Sequence, residues 1–267
     1  MKSLLILFMM SVALFGAKLP TYLLSDYEEE AQVVQKLEKS GYEIVGTFSP
    51  LVSDDYRVIA FTSAAMRKSA TRDLREFAAV QKVLVNKKSQ KLHWQNPEYF
   101  MRAYMQKEFD MSIATNVTTF IKGNFKNITT SKDSMDKDDL SGFHFTFGMP
   151  YYEDMKVVGE GKNSALIEKA KASFGENIVF SVKLADATLM GVKIAGETGE
   201  NSYVNKIDGT NNMAFLPFMM LVKDGEAKIL PAEYHIALGF PLMGYGDFGS
   251  IMSTPGNVVD YFSKPFN

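Results

Sequence analysis

The sequence predicts an α+β fold built from two similar units in tandem, each an antiparallel sheet with helices on one face. Three observations carry that expectation. A block of helix, glycine and strand occurs twice, a β-hairpin occurs twice in the same order, and a proline with a nearby aromatic follows each hairpin. Internal repetition is sought before individual elements because a missed duplication misassigns the whole architecture.

Taken in chain order, Lys2 precedes an apolar run from Leu4 to Phe15 that closes on Gly16-Ala17 before Lys18. A positive charge, an apolar stretch too short to span a bilayer and small residues at the end are the parts of a cleavable secretory signal. The expectation is therefore export to the periplasm with cleavage after about Ala17. With no cysteine anywhere in 267 residues, lipid anchoring, disulfides, thiolate zinc sites and covalent haem attachment are excluded, so the mature chain relies on its packed core. Hydrophobic content of 46% and charged content of 22% suit a globular chain. A net charge of −2 with both signs interspersed offers no footprint for nucleic acid, and no later run is long enough for a membrane span.

The first unit is read over 18–108. Val33 to Ser40 forms an amphipathic helix stopped by Gly41 and followed by the strand Tyr42-Glu43-Ile44-Val45. A further strand runs from Tyr56 to Thr62. Val83 to Leu92 then forms a hairpin, followed by Asn96-Pro97-Glu98-Tyr99. Residues 109–160 connect the units and contain Ser131 to Asp139, a polar run read as a solvated loop. Its aspartates lack the spacing, central glycine and closing glutamate of a calcium loop. The second unit, 161–267, repeats the order. Leu166 to Ser173 is the helix, Gly175 the stop, Ile178-Val179 the strand and Thr188 to Ile194 the next strand. Met220 to Ile229 is a hairpin turning at Asp224-Gly225, with Pro231 and Tyr234 after it.

At Ala78-Ala79-Val80-Gln81-Lys82-Val83-Leu84-Val85, with the returning strand and Asn96-Pro97, the first unit resembles the DUF302 family of uncharacterised bacterial domains. The resemblance spans about residues 28–105 and, more faintly, 162–236. It implies a small α+β fold with helices on an antiparallel sheet, and no established reaction. The family's usual proline and cysteine at the third strand are replaced by Phe77-Ala78-Ala79 and by Leu216-Pro217-Phe218, so thiol chemistry does not carry over.

No nucleophile constellation stands out. The three histidines are His93, read as a half-exposed strand residue beside Trp94; His144, alternating with Phe143, Phe145 and Phe147 as in a strand; and His235, near a turn. No serine sits in a G-x-S-x-G elbow. Carboxylates such as Asp154, Glu233 or Asp247 are available for a hydrolase or isomerase, but nothing in their spacing pairs them. An enzyme is thus the less favoured reading, and no cofactor is predicted.

Two segments differ from ordinary scaffold: Gly148 to Met155, aromatic and acidic, and Gly239 to Gly249, rich in glycine and aromatics. Tyr151, Tyr152, Phe240, Tyr245 and Phe248 are the candidate ligand-binding residues, placed to line an apolar pocket where the units meet. The expected function is non-enzymatic binding of a small apolar molecule or a periplasmic partner protein. The alternative is a metal- or haem-associated redox accessory protein using His144, Met149, His235 and Met243 as imidazole and thioether ligands. Asn116-Val117-Thr118 and Asn127-Ile128-Thr129 match the N-glycosylation pattern, which matters only in a host that uses it.

Overall fold

The computed structural model describes residues 17–72, 74–196 and 198–267. The expected signal segment, apart from Ala17, lies outside the described residues. Two short strands, β1 (Lys18–Pro20) and β2 (Tyr22–Asp26), precede α1 (Glu30–Lys39). A capping box between Glu29 and Gln32 starts α1, and Gly41, at a φ of +83°, ends it in the left-handed region that glycine enters without strain. Then come β3 (Glu43–Phe48), β4 (Tyr56–Thr62), α2 (Ala64–Ser69), β5 (Gln81–Asn86), β6 (Lys91–Gln95) and α3 (Pro97–Met105). Asn96 caps α3 by accepting from the Glu98 N–H at 3.2 Å, with Pro97 in the first turn where no N–H is needed.

The connecting region is more structured than its polarity suggests. It carries α4 (Met111–Asn124), capped by Asp110, then β7 (Thr129–Thr130) and β8 (Ser134–Asp136). Ser131 to Asp139 is therefore not simply a solvated loop: β8 pairs with β1, and the Ser131 N–H donates to the Tyr22 carbonyl. Next follow β9 (Lys156–Glu160), α5 (Asn163–Phe174), β10 (Ile178–Lys183), β11 (Thr188–Val192), α6 (Glu200–Tyr203), β12 (Phe218–Lys223), β13 (Glu226–Ile229), α7 (Ala232–Gly239), α8 (Tyr245–Ser250) and α9 (Thr254–Ser263). Asp224 and Gly225, both at positive φ, close the two-residue β12–β13 turn. Among the described residues no helix is long and apolar enough to cross a membrane.

Both main sheets are antiparallel. The first runs β3-β4-β5-β6-β2-β7 and the second β10-β11-β12-β13-β9. Leaving aside the two-residue β7, the orders coincide when the strands of each unit are taken in sequence. Each sheet also draws its first strand from outside the duplicated blocks, β2 in one and β9 in the other. The register shift in β3 falls between Ile44 and Gly46 and that in β10 between Ile178 and Phe180, the same place in both repeats.

On the first sheet, alternation sends Tyr56, Val58, Ala60 and Leu84 to one face and Ile59, Phe61, Val83 and Val85 to the other. The second set, with the fully buried Trp94, is covered by Val33 and Leu37 of α1, Met66 of α2, and Val117 and Ile121 of α4. The first set merges with the core of the second unit, where α5 and α9 meet through Phe174 and Phe262 with ring centroids 5.6 Å apart.

Contacts across the seam are reciprocal. The Tyr99 hydroxyl donates to the Leu238 carbonyl at 3.0 Å, and its counterpart Tyr234 donates to the Ala103 carbonyl at 3.0 Å. Tyr22, the first residue of β2, donates to Asn212 O of the second unit, while Tyr152, ahead of β9, donates to Leu74 O of the first. Edge strands β3 and β10 approach so closely that a Cβ on Gly46 would sit 2.1 Å from the Val179 carbonyl oxygen. Residue i meeting j while j's counterpart meets i's is the pattern of a self-complementary two-fold interface. Tyr99→Phe and Tyr234→Phe, each removing one buried hydrogen bond of the pair, are accordingly expected to destabilise by similar amounts, about 1 kcal/mol each in urea unfolding. A several-fold inequality between the two costs would argue against the reciprocity.

Candidate functional site

The seam leaves a cleft of about 510 Å³. The first unit contributes Tyr22 and Leu24 from β2 and His93 from β6, and the connecting region contributes Ser131 to Asp133 just before β8. The second contributes Ile207, Asp208, Asn211 and Asn212, in the helical turns before β12, and Phe240, Leu242, Met243 and Asp247 from the segment after α7. Strand pairing explains the first wall: Leu24 lies opposite His93 and Tyr22 opposite Gln95, so Leu24 and His93 are neighbours on the sheet face turned to the seam. On the second wall, Asp208 takes a left-handed φ of +50°, and Gly209 lets the Phe240 ring pack where a Cβ would come within 2.8 Å of it.

The wall is stitched across the seam by hydrogen bonds. Asn212 Nδ2 donates to Asp133 Oδ2 at 2.7 Å and to the Gly239 carbonyl at 2.8 Å. The Tyr22 hydroxyl donates to Asn212 O at 2.7 Å, and burial, with Tyr99 and Asp133 nearby, raises its pKa well above that of an ordinary phenol. Asn86 Nδ2 donates to Asn211 Oδ1 at 2.9 Å. His93 is 6% exposed, not half-exposed, and its Nε2 lies 3.1 Å from Ser89 Oγ. Burial, helped by the Lys91 charge, pulls His93 down to about 4, so the ring is neutral at physiological pH.

Of the five aromatics expected to line a pocket, Phe240 lies in the cleft wall. Tyr152 does not: it is a fully buried wedge, edge-on to Phe77 and Tyr234 and beneath the Arg75 guanidinium. Tyr151 is exposed and packs on the His144 ring at 4.4 Å. Tyr245 and Phe248 meet Phe145 at 6.1 and 5.1 Å, and the Tyr245 hydroxyl bonds Thr146. Tyr245 and Phe248 thus pack on Phe145 and Thr146, just ahead of the Gly148 to Met155 segment, and form a lip beside the cleft. Phe147, just before the first segment, and Leu242, in the second, are exposed.

The four candidate metal ligands occupy separate settings. His235 lies inside α7, not near a turn, with Nε2 at 3.2 Å from the Phe215 carbonyl and Nδ1 at 3.5 Å from the Tyr104 hydroxyl, so both nitrogens are engaged. Burial and the neighbouring Lys82 charge pull it down to about 3. His144 lies in irregular chain, not a strand, because Phe143 and Phe145 pack on different partners, Tyr234 and Phe248. Met243 lines the cleft, and Met149 lies half-buried in irregular chain ahead of β9. Among the described residues no group of three or more histidines, aspartates or glutamates is placed to hold a metal ion.

Sequence reasoning missed His93 as a cleft residue, and it missed Asp133, Asp208 and Asn212. The polar run from Ser131 gave no sign that Asp133 would be anchored by Asn212, since such a pair depends on how the units meet. No family model, no curated protein and no solved structure matches the chain.

Proposed function

We propose that this chain is a non-enzymatic binding protein of the cell envelope that holds a small molecule in the cleft between its two units. The observation that supports it most is the cleft itself: about 510 Å³, with Leu24, Ile207, Phe240 and Met243 giving apolar surface and a few polar groups at fixed positions. That size and mixture are those of small-molecule sites, which favour the junction between units. Export rests on Lys2, the run Leu4 to Phe15 and Ala17, and kinship with DUF302 on the first-unit pattern; both are parts of the proposal. The exposed rings of Phe147 and Tyr245 support a second reading, in which a partner protein docks on the lip.

Native mass spectrometry of the protein purified gently from its own host's periplasm tests the leading reading. The expected result is a chain beginning near Lys18 that carries a non-covalent adduct of small-molecule mass, lost when a tryptophan replaces Met243 in the cleft. A clean apo mass overturns the reading, and an uncleaved N-terminus removes export from it.

A further inference from the structure

The cleft's polar groups are sorted by hydrogen-bonding role, and this narrows what it can hold. Most donors in its wall are spent internally. Asn212 Nδ2 serves Asp133 and Gly239, the Tyr22 hydroxyl serves Asn212 O, and the Ser131 hydroxyl donates to Asp133 O. The acceptors are not spent. Asp133 and Asp247 each have one carboxylate oxygen engaged, by Asn212 Nδ2 and by the Gly244 N–H respectively, which leaves the other open among the described residues. Asp208 stands exposed at the rim.

His93 is an independent observation pointing the same way. More than nine-tenths of it is buried, it lines the cleft, and among the described residues only its Nε2 has a partner. The Ser89 hydroxyl has the Asn86 carbonyl 3.5 Å away as an acceptor for its own proton, and in the tautomer where it receives Nε2–H from His93, Nδ1 is an acceptor. The neutral ring that burial enforces adds no positive charge of its own, and the nearby Lys91 ammonium is paired with Asp26 at 3.0 Å. Against three carboxylates and this nitrogen stand one lysine, Lys132, exposed at the mouth, and the amide of Asn211.

We propose that the cleft takes an organic cation: an amine carried on an apolar alkyl or aryl body, its N–H groups met by His93 Nδ1 and the rim carboxylates and its body lying on Leu24, Ile207, Phe240 and Met243. This rests on the reading of the cleft as a small-molecule site and specifies its ligand class. Like charge on an anion would face the three aspartates, and a neutral apolar molecule would leave the buried His93 nitrogen unmet.

The test uses the mature full chain and three probes that share one body: 2-phenylethylamine, 3-phenylpropionate and 2-phenylethanol, titrated by calorimetry at low and high salt. The amine is expected to bind about tenfold or more tighter than the other two and to weaken with salt. Asp208→Asn, which keeps a residue tolerant of the left-handed backbone, is expected to reduce amine affinity several-fold while leaving the unfolding midpoint in place. Equal or better binding of the acid or the alcohol overturns the ligand class, as does no amine binding at millimolar concentration or an unchanged affinity in Asp208→Asn. Whether the cleft holds any small molecule is read separately from the adduct in native mass spectrometry, so the class can fail while the binding function stands.

Discussion

Lys223→Ala is expected to lower the unfolding free energy by about 3–5 kcal/mol, because it strands a buried carboxylate. Glu76, in the helical turn ahead of β5, is fully buried, and its Oε1 accepts from Lys223 Nζ of β12 at 2.9 Å across the seam. Taking a carboxylate out of water is tolerable only while a counter-charge and hydrogen bonds replace the lost hydration. Glu76→Ala should cost less, since the ammonium left behind has Asp186 at 3.6 Å and is itself 10% exposed. The double change Glu76→Leu with Lys223→Met removes both charges together and is expected to recover most of the loss. Urea unfolding of the three variants beside Lys171→Ala, a change on the exposed side of α5, decides the matter. If Lys223→Ala costs no more than that surface control, the pair does not hold the seam.

That ion pair also marks the limit of what the sequence could disclose. The duplicated blocks were legible because each depends on local chemistry: a 3.6-residue period in Val33 and Leu37, a glycine stop at Gly41, and an Asp224-Gly225 turn suited to positive φ. Their structural counterparts α1, α5 and the two hairpins lie where the pattern put them. Strands β2 and β9 were not legible, since five residues such as Tyr22-Leu23-Leu24-Ser25-Asp26 have little period of their own and are made into strands by their neighbours β6 and β13. Helix α4 was hidden inside a connection judged by its polar end. The cleft was less legible still. Phe240 was found because aromatics beside glycines stand out, whereas Tyr152 shares that signal and proved to be a wedge. Asp133, His93 and Asn212 have no local signal: Asp133 and Asn212 acquire their roles from each other, 79 positions apart, and His93 from the seam it faces.

Acid is expected to destabilise this protein early, and mild alkali to stabilise it, for reasons that follow from the buried groups. His93 and His235 are held down to about 4 and about 3 from an unfolded value of 6.5, so the folded state binds fewer protons as pH falls below that value. Each histidine therefore contributes stability that is full above pH 6.5 and lost through its folded pKa. Glu200 acts oppositely. Burial raises it to about 8 from 4.5, so its contribution is full at low pH and is lost as pH rises across that window. Between pH 6.5 and 4.5 the balance is two protons against one, and stability should fall by about 1 kcal/mol per pH unit of acidification. On the alkaline side Lys82, buried and pulled from 10.5 to about 7, adds stability as pH rises through that range. Tyr22, Tyr152, Tyr203 and Tyr234, raised well above 10 by burial, withdraw it once unfolded phenols ionise. The optimum is thus expected between about pH 8 and 10, higher than the usual neutral maximum. Lys82→Met is the discriminating variant: its Phe215 carbonyl keeps His235 as a partner, so the change should raise stability at pH 6 and flatten the rise above pH 8. Urea midpoints measured from pH 4 to 10 on both proteins test the balance, and a variant that retains the full alkaline rise would remove Lys82 from it.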